Sequence, residues 1–206
     1  MNRIIEYSTF HIGLTDVESG ARIGGTSPRS VKPAFQNELT KYLMTMPLAN
    51  DCEISVFYSF DYFDDGPFGF HDAAYAIHDE KSPLVEVIAH KKSKRSKGGS
   101  HLSSELPGRS LILSHEKGLE STGTAGNPYS FHKKGGIPAF DKEFDSAIGA
   151  KALKLMKEGF DHSIQLAFPA GPNDSILNCD WPFGEAIFHV FTRVRETEFE
   201  FRYCWG

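Results

Sequence analysis

The histidines, cysteines and clustered carboxylates of this 206-residue chain are the side chains able to act as bases, nucleophiles or metal ligands, and their spacing limits what they can do. His11, His71, His78, His90, His101, His115, His132, His162 and His189 include no HxxxH or HExxH pair. Zinc held on one helix face needs that i, i+4 spacing, so no such site is expected. In FHDAAYAIHDE, His71 and His78 adjoin Asp72 and Asp79. Those groups could meet a metal only through tertiary folding, and they read more simply as polar strand ends. His189 alternates with rings in AIFHVFTRV, the pattern of an interior or edge imidazole.

A cysteine nucleophile needs a nearby base and a depressed pKa. Cys52 lies between Asp51 and Glu53, and Cys179 precedes Asp180; neighbouring negative charge raises a thiol pKa. Cys204 sits between Tyr203 and Trp205 near the C-terminus. All three are expected to be inert. No GxSxG elbow is present, and STGTAG precedes no strand-to-helix turn. No catalytic residue, metal ligand or cofactor is therefore assigned, and the chain reads as leaning away from an enzyme.

Two glycine pairs, in ARIGGTSP and KKGGIPAF, raise the question of a phosphate loop. Such a loop needs a strand before it, a helix directly after it and a following Lys-Ser/Thr. In the second pair Pro138 and the residues after it break that frame. Both pairs are expected to be structural turns.

The carboxylates point elsewhere. Asp61, Asp64 and Asp65 are interleaved with Tyr62, Phe63, Phe68 and Phe70, and the spacing fails that of a calcium loop. Rings anchor protein interfaces and carboxylates steer basic partners, so these residues are expected to bind a protein. The competing reading is a solvated loop with its rings turned inward. Trp181, Phe183 and Glu185 of DWPFGE complete the expected partner-binding set.

Composition bounds the class. The net charge of −5 and pI near 6.0 argue against nucleic acid and favour a basic partner. A hydrophobic share of 40% with 13% aromatics implies a soluble chain with a substantial core. An odd 3 cysteines without CxxC imply no disulfide framework, hence a reducing, cytoplasmic setting. Neither a signal peptide nor a run of the ~20 apolar residues that span a membrane is read.

The elements that must position these groups follow from periodicity. Phe35, Leu39, Leu43 and Met46 predict a helix over 32–47, stopped by Pro47. CEISVFYSF, AAYAIH, PLVEVIAH and RSLILSHE predict strands. KKSKRSKGGS between them reads as a solvated hairpin loop, or as a contact for nucleic acid or an anionic surface. The segment 117–138 is expected to be mostly loop. DSAIGAKALKLMKEG predicts a helix with Ile148, Ala152, Leu155 and Met156 on its apolar face and Gly159 at its end. HSIQLAFP, AIFHVFTRV and EFEFRYCW predict three further strands. The order glycine pair, helix, aromatic strand occurs twice, which predicts an internal duplication with halves 1–115 and 116–206.

ARIGGTSP with EISVFYSF, and KGGIP with HSIQLAF and DWPFGEAIFHVF, carry a family resemblance. The residues concerned include Gly135, Gly136, Pro138, Gln165, Trp181, Gly184, Phe188 and Phe191. On them the chain resembles the YwqG-like family of uncharacterised bacterial domains over roughly 20–60 and 132–206. It departs from that pattern in WPFGE, where an acidic residue usually follows Trp-Gly. The resemblance implies one α+β domain over 1–206, a mixed, mainly antiparallel sheet with a few short helices. It supplies no catalytic residue. The expected function is that of a non-catalytic protein-binding protein, an immunity protein or antitoxin that neutralises a cognate bacterial effector by binding its basic toxin domain. The alternative is a small-ligand-binding protein or hydrolase with a pocket between the two halves, built from His71, Asp72, Gln165 and Trp181.

Overall fold

Ile54, Val56 and Tyr58 alternate with Ser55 and Phe57 in the strand Cys52–Tyr58, and both sets are buried. A strand sealed on both faces needs a cover on each side, and that requirement shapes the molecule. The computed structural model describes residues 4–48, 51–59, 76–79, 82, 84–97, 102–104, 106–121, 132–140, 146–167, 182–183, 186–195 and 198–205. Among these are β1 (Ile4–Ile12), β2 (Arg22–Ile23), β3 (Lys41–Pro47), β4 (Cys52–Tyr58), β5 (His78–Asp79) and β6 (Val85–Lys91). They are followed by β7 (Arg109–Ser121), β8 (His132–Gly135), the helix α1 (Ser146–Lys157), β9 (Asp161–Leu166), β10 (Phe188–Arg195) and β11 (Glu198–Trp205).

The strands pair antiparallel in one 11-stranded sheet, ordered β5-β11-β10-β9-β8-β1-β7-β2-β3-β4-β6. The sheet curls into a half-barrel, predominantly β, so the expected α+β class holds in its antiparallel sheet and is thin in helix. The order reads alike outward from the central pair: β7, β2, β3, β4, β6 one way and β1, β8, β9, β10, β11 the other. β1 leads into β2 yet pairs with β7 and β8, while β7 leads into β8 yet pairs with β1 and β2. Each half thus lends its first strand to the other. The expected boundary at 115/116 falls inside β7.

One core fills the inner face and draws on both halves: Leu43, Ile54 and Val56 pack in the same cluster as Ile164, Phe188, Val190, Tyr203 and Trp205. Burying such side chains contributes roughly 1.5–3 kcal/mol each. The outer faces have separate covers. α1 lays Ile148, Ala152 and Leu155 over Phe191 and Cys204. Its end is a Schellman motif: Gly159 has φ +94°, and Phe160 N–H donates to Leu155 C=O at 3.1 Å. On the other half, Val31 packs over Tyr42 and Phe57.

The helix expected over 32–47 is not formed. Lys41–Pro47 is β3, with Tyr42 to Met46 all buried, and 32–40 is irregular. Phe35 and Leu39, needed on the apolar face, are 43% and 39% exposed. Five successive buried residues mark a strand covered on both faces, whatever helical spacing lies upstream. The irregular stretch satisfies amides through side chains: Glu86 on β6 accepts from Ala34 and Phe35, and Asn37 from Leu39. The loop expected over most of 117–138, of which 122–131 lie outside the described residues, is corrected at two stretches, because β7 continues to Ser121 and β8 occupies His132–Gly135. Pairing with β1 outweighs the turn-forming composition there. Of AAYAIH, the described part forms only the short β5, which starts at His78. Among the described residues, no helix is long and apolar enough to cross a membrane.

Both glycine pairs are turns of the same unusual hand. φ is +68° and +69° at Gly24 and Gly25, and +76° and +77° at Gly135 and Gly136. A Cβ on Gly24 would lie 2.3 Å from Pro107 O, so a side chain has no room there.

Candidate partner-binding site

Asp61, Tyr62, Phe63, Asp64, Asp65, Phe68, Phe70, Trp181 and Glu185 lie outside the described residues. Phe183 is described, and its expected partner-binding role is corrected. Its ring is buried, stacked on Phe188 at 4.4 Å and tilted against Trp205 at 5.6 Å. It belongs to the core and leaves no surface for a partner.

The stretches from which the two expected recognition segments spring converge. The alternation of β11 sends Phe201, Tyr203 and Trp205 to the inner face, and the rings of Tyr203 and Trp205 stack at 6.0 Å. His78 of β5 stacks on both, at 5.2 and 5.1 Å. Residues 76–79 follow the acidic aromatic segment, and 182–183 lie within the second one. Among the described residues, the stretches 76–79 and 182–183 both rest on Trp205, through His78 and Phe183. On the other side of the first segment, Ser59 N–H donates to Leu84 C=O at 2.8 Å. The next residue, Val85, donates its N–H to the Tyr203 hydroxyl at 3.1 Å. One ring cluster thus ties β6, at one end of the sheet, to β11 and β5 at the other.

Burial pushes the Tyr203 phenol up to about 12, the hydrogen bonds from Ser82 and Val85 oppose the rise, and the charge of Asp79 adds to it. The hydroxyl is therefore neutral at physiological pH and acts as an acceptor for Val85.

The other chemically competent side chains are built into the second half. His162 Nδ1 lies 3.1 Å from Gly135 C=O, which only an N–H can satisfy. Its Nε2 is then the lone-pair nitrogen and accepts from His189 Nδ1 at 3.3 Å. That leaves His189 Nε2 as a buried lone pair with no partner, beside the Phe140 ring at 4.3 Å. Burial, then the charge of Lys133, pushes His162 down to about 3. Burial, then His162 and Lys133, holds His189 well below the usual histidine range. Both rings are neutral and tie β9 and β10 to the second glycine turn, so His189 is the interior imidazole that its strand pattern predicts.

The pocket reading fares differently residue by residue. His71, Asp72 and Trp181 lie outside the described residues. Gln165 is buried, and its side-chain oxygen accepts from Ala139 N–H at 3.1 Å. Clefts of about 200 and 330 Å³ border the glycine turns at Gly135–Gly136 and Gly25. Cys52 and Cys204 are free thiols, half-buried and buried, and Cys179 lies outside the described residues. Among the described residues no three metal-binding side chains converge.

Sequence reasoning missed Tyr203, His78 as a ring platform, and the buried charges Arg22, Glu53 and Lys133. The aromatic alternation ending in YCW was the available signal for the first. The buried charges had none, since charged residues ordinarily read as surface. No protein-family model, curated protein or solved structure matches the chain.

Proposed function

We propose that the chain is a non-catalytic protein-binding protein that takes a basic partner on the segment 61–70 together with Trp181 and Glu185. In its finer form, the partner is the toxin domain of a cognate bacterial effector and the chain is its cytoplasmic immunity protein. The observation that supports this reading is the shared root: His78 and Phe183, far apart in sequence, pack on the same Trp205. A rigid base under two aromatic segments lowers the ordering cost of binding. Asp61, Asp64 and Asp65, on a chain of net charge −5, supply the steering toward a basic surface. The resemblance to YwqG-like domains belongs to the same proposal and adds no site residue. The pocket alternative has less support, because Gln165 is already spent on the Ala139 amide.

The test is the affinity of the purified partner for Asp64→Lys/Asp65→Lys by calorimetry. Loss of about tenfold or more, with an unchanged melting temperature, is expected from reversing desolvated interface charges. Unchanged affinity would remove the first segment from the interface.

A further inference from the structure

The basic run Lys91–Lys97 is the motif that the protein-binding reading leaves unused. It is not a free hairpin tip. Ser96 N–H donates to Ser27 C=O at 2.8 Å, Arg29 N–H to Lys94 C=O at 3.0 Å, and Arg95 N–H to Glu18 C=O at 2.9 Å. Arg29 Nε donates to Arg95 C=O at 3.1 Å, and the Thr26 hydroxyl to Ser96 C=O at 3.0 Å. Ser93, earlier in the run, is gripped by two buried charges: its N–H donates to Glu53 Oε2 at 3.1 Å, and its C=O accepts from Arg22 at 3.3 Å. Lysine runs ordinarily repel into solvent. Here the backbone is fastened along its length to the first glycine turn.

The fastening borders the open cleft of about 330 Å³ beside Gly25 and Thr26, which Glu18, Arg29, Arg95 and Lys97 also line. The charge around it is unevenly matched. Asp16 pairs with Arg95, and Glu18 with Lys94 at 3.7 Å, the latter pair two-thirds exposed and hence weak. Arg29 and Lys97 have no carboxylate partner among the described residues. An Arg fork and a Lys point charge on one cleft, uncompensated, are the donor set for a phosphate group.

We propose that this cleft binds a small phosphate-bearing ligand, with the phosphate held by Arg29 and Lys97 over the first glycine turn. Two cations with no carboxylate partner among the described residues suit one phosphomonoester, set against the single weakly paired Glu18 that also lines the cleft. The cleft is at the low end of small-ligand sites, about 300–1,000 Å³. A polyanion is disfavoured, because a long track of phosphates requires many cations and the chain as a whole is negative. The proposal is independent of the protein-binding segments.

The test is an amide-resolved NMR titration of the full chain with inorganic phosphate, a nucleoside 5′-monophosphate, a sugar phosphate and single-stranded RNA, each separately. Saturable shifts centred on Gly25, Thr26, Arg29 and Ser96 are expected with phosphate. Tighter binding of either organic phosphate than of inorganic phosphate identifies the ligand's other half. Arg29→Gln/Lys97→Gln should weaken binding by about tenfold or more, the weight of a charge-assisted contact. Glu18→Gln should tighten it by removing a like charge from the wall, and that variant keeps the test decisive if the double variant folds poorly. Shifts that never saturate, that spread over other lysines such as Lys151 and Lys157, or that ignore both variants would overturn the proposal. Binding of RNA alone, without saturable phosphate binding, would overturn it in favour of a nucleic-acid surface.

Discussion

The Tyr203 hydroxyl accepts the Val85 N–H at 3.1 Å, joining the strand beside one edge of the sheet to the strand at the opposite edge. Among the described residues no backbone ladder makes that connection, so the Tyr203 hydroxyl, with the core packed around its ring, holds the curl where the barrel stops short of closing. Tyr203→Phe keeps the ring and strands a buried amide, at a cost of about 1–3 kcal/mol. For a chain of this size the melting temperature should fall by about 2–4 °C per kcal/mol. Thermal unfolding of the variant checks this, and an unchanged midpoint would show that the bond does not hold the curl.

Alkali should act on the same group. Burial raises both Tyr203 and Tyr42 to about 12, above the unfolded value of 10.0. A folded pKa above the unfolded one means the contribution is fully present below pH 10 and lost as pH rises through about 12. Unfolding free energy should therefore drop across that window, and the drop should be smaller in Tyr42→Phe. Denaturant titrations at a series of alkaline pH values read it directly.

Acid should act through the imidazole pair. His162 and His189 are both depressed below 6.5, so their contribution is present above that pH and lost as pH falls toward about 3. His189→Phe removes the buried lone pair and one titrating group. Its stability should decline less steeply between pH 6.5 and 4 than that of the wild type. An identical slope would mean that the pair does not titrate on unfolding.

The glycine turns give a matched comparison. Gly24→Ala sets a Cβ 2.3 Å from Pro107 O at a positive φ, whereas Gly20→Ala at φ +84° meets nothing within 4 Å. The second should cost only the roughly 1–2 kcal/mol of left-handed strain. The first should cost clearly more, or prevent folding. Equal midpoints in urea would contradict a steric role for the first turn.

Several elements were legible in the sequence for a physical reason that can be named. Ile54, Val56 and Tyr58 alternate because one face meets the shared core, and the α1 face ends at Gly159 because a Schellman turn requires it. The 32–47 helix failed because Phe35, Leu39, Leu43 and Met46 fit a helical period by spacing alone. Burial of Tyr42 through Met46 depends on β2, which no local window contains, as well as on the adjacent β4. β7 past Glu116 and β8 were hidden likewise, since their partner is β1, about a hundred residues away. The site was half legible. Acidic and aromatic composition singled out 61–70 and 181–185, but period and composition could not place His78 and Phe183 on the same Trp205.

The proposed partner-binding role of 61–70 and Trp181 is tested most directly by a mutant cycle. The affinity of the partner protein is measured by calorimetry for wild type, Asp64→Lys/Asp65→Lys, Trp181→Ala and the combined variant, with melting temperatures alongside. Each change is predicted to weaken binding of the same partner by about tenfold or more, with losses that are not additive because contacting residues couple. Full affinity in the Trp181→Ala variant, or in the charge-reversed one, would contradict the account.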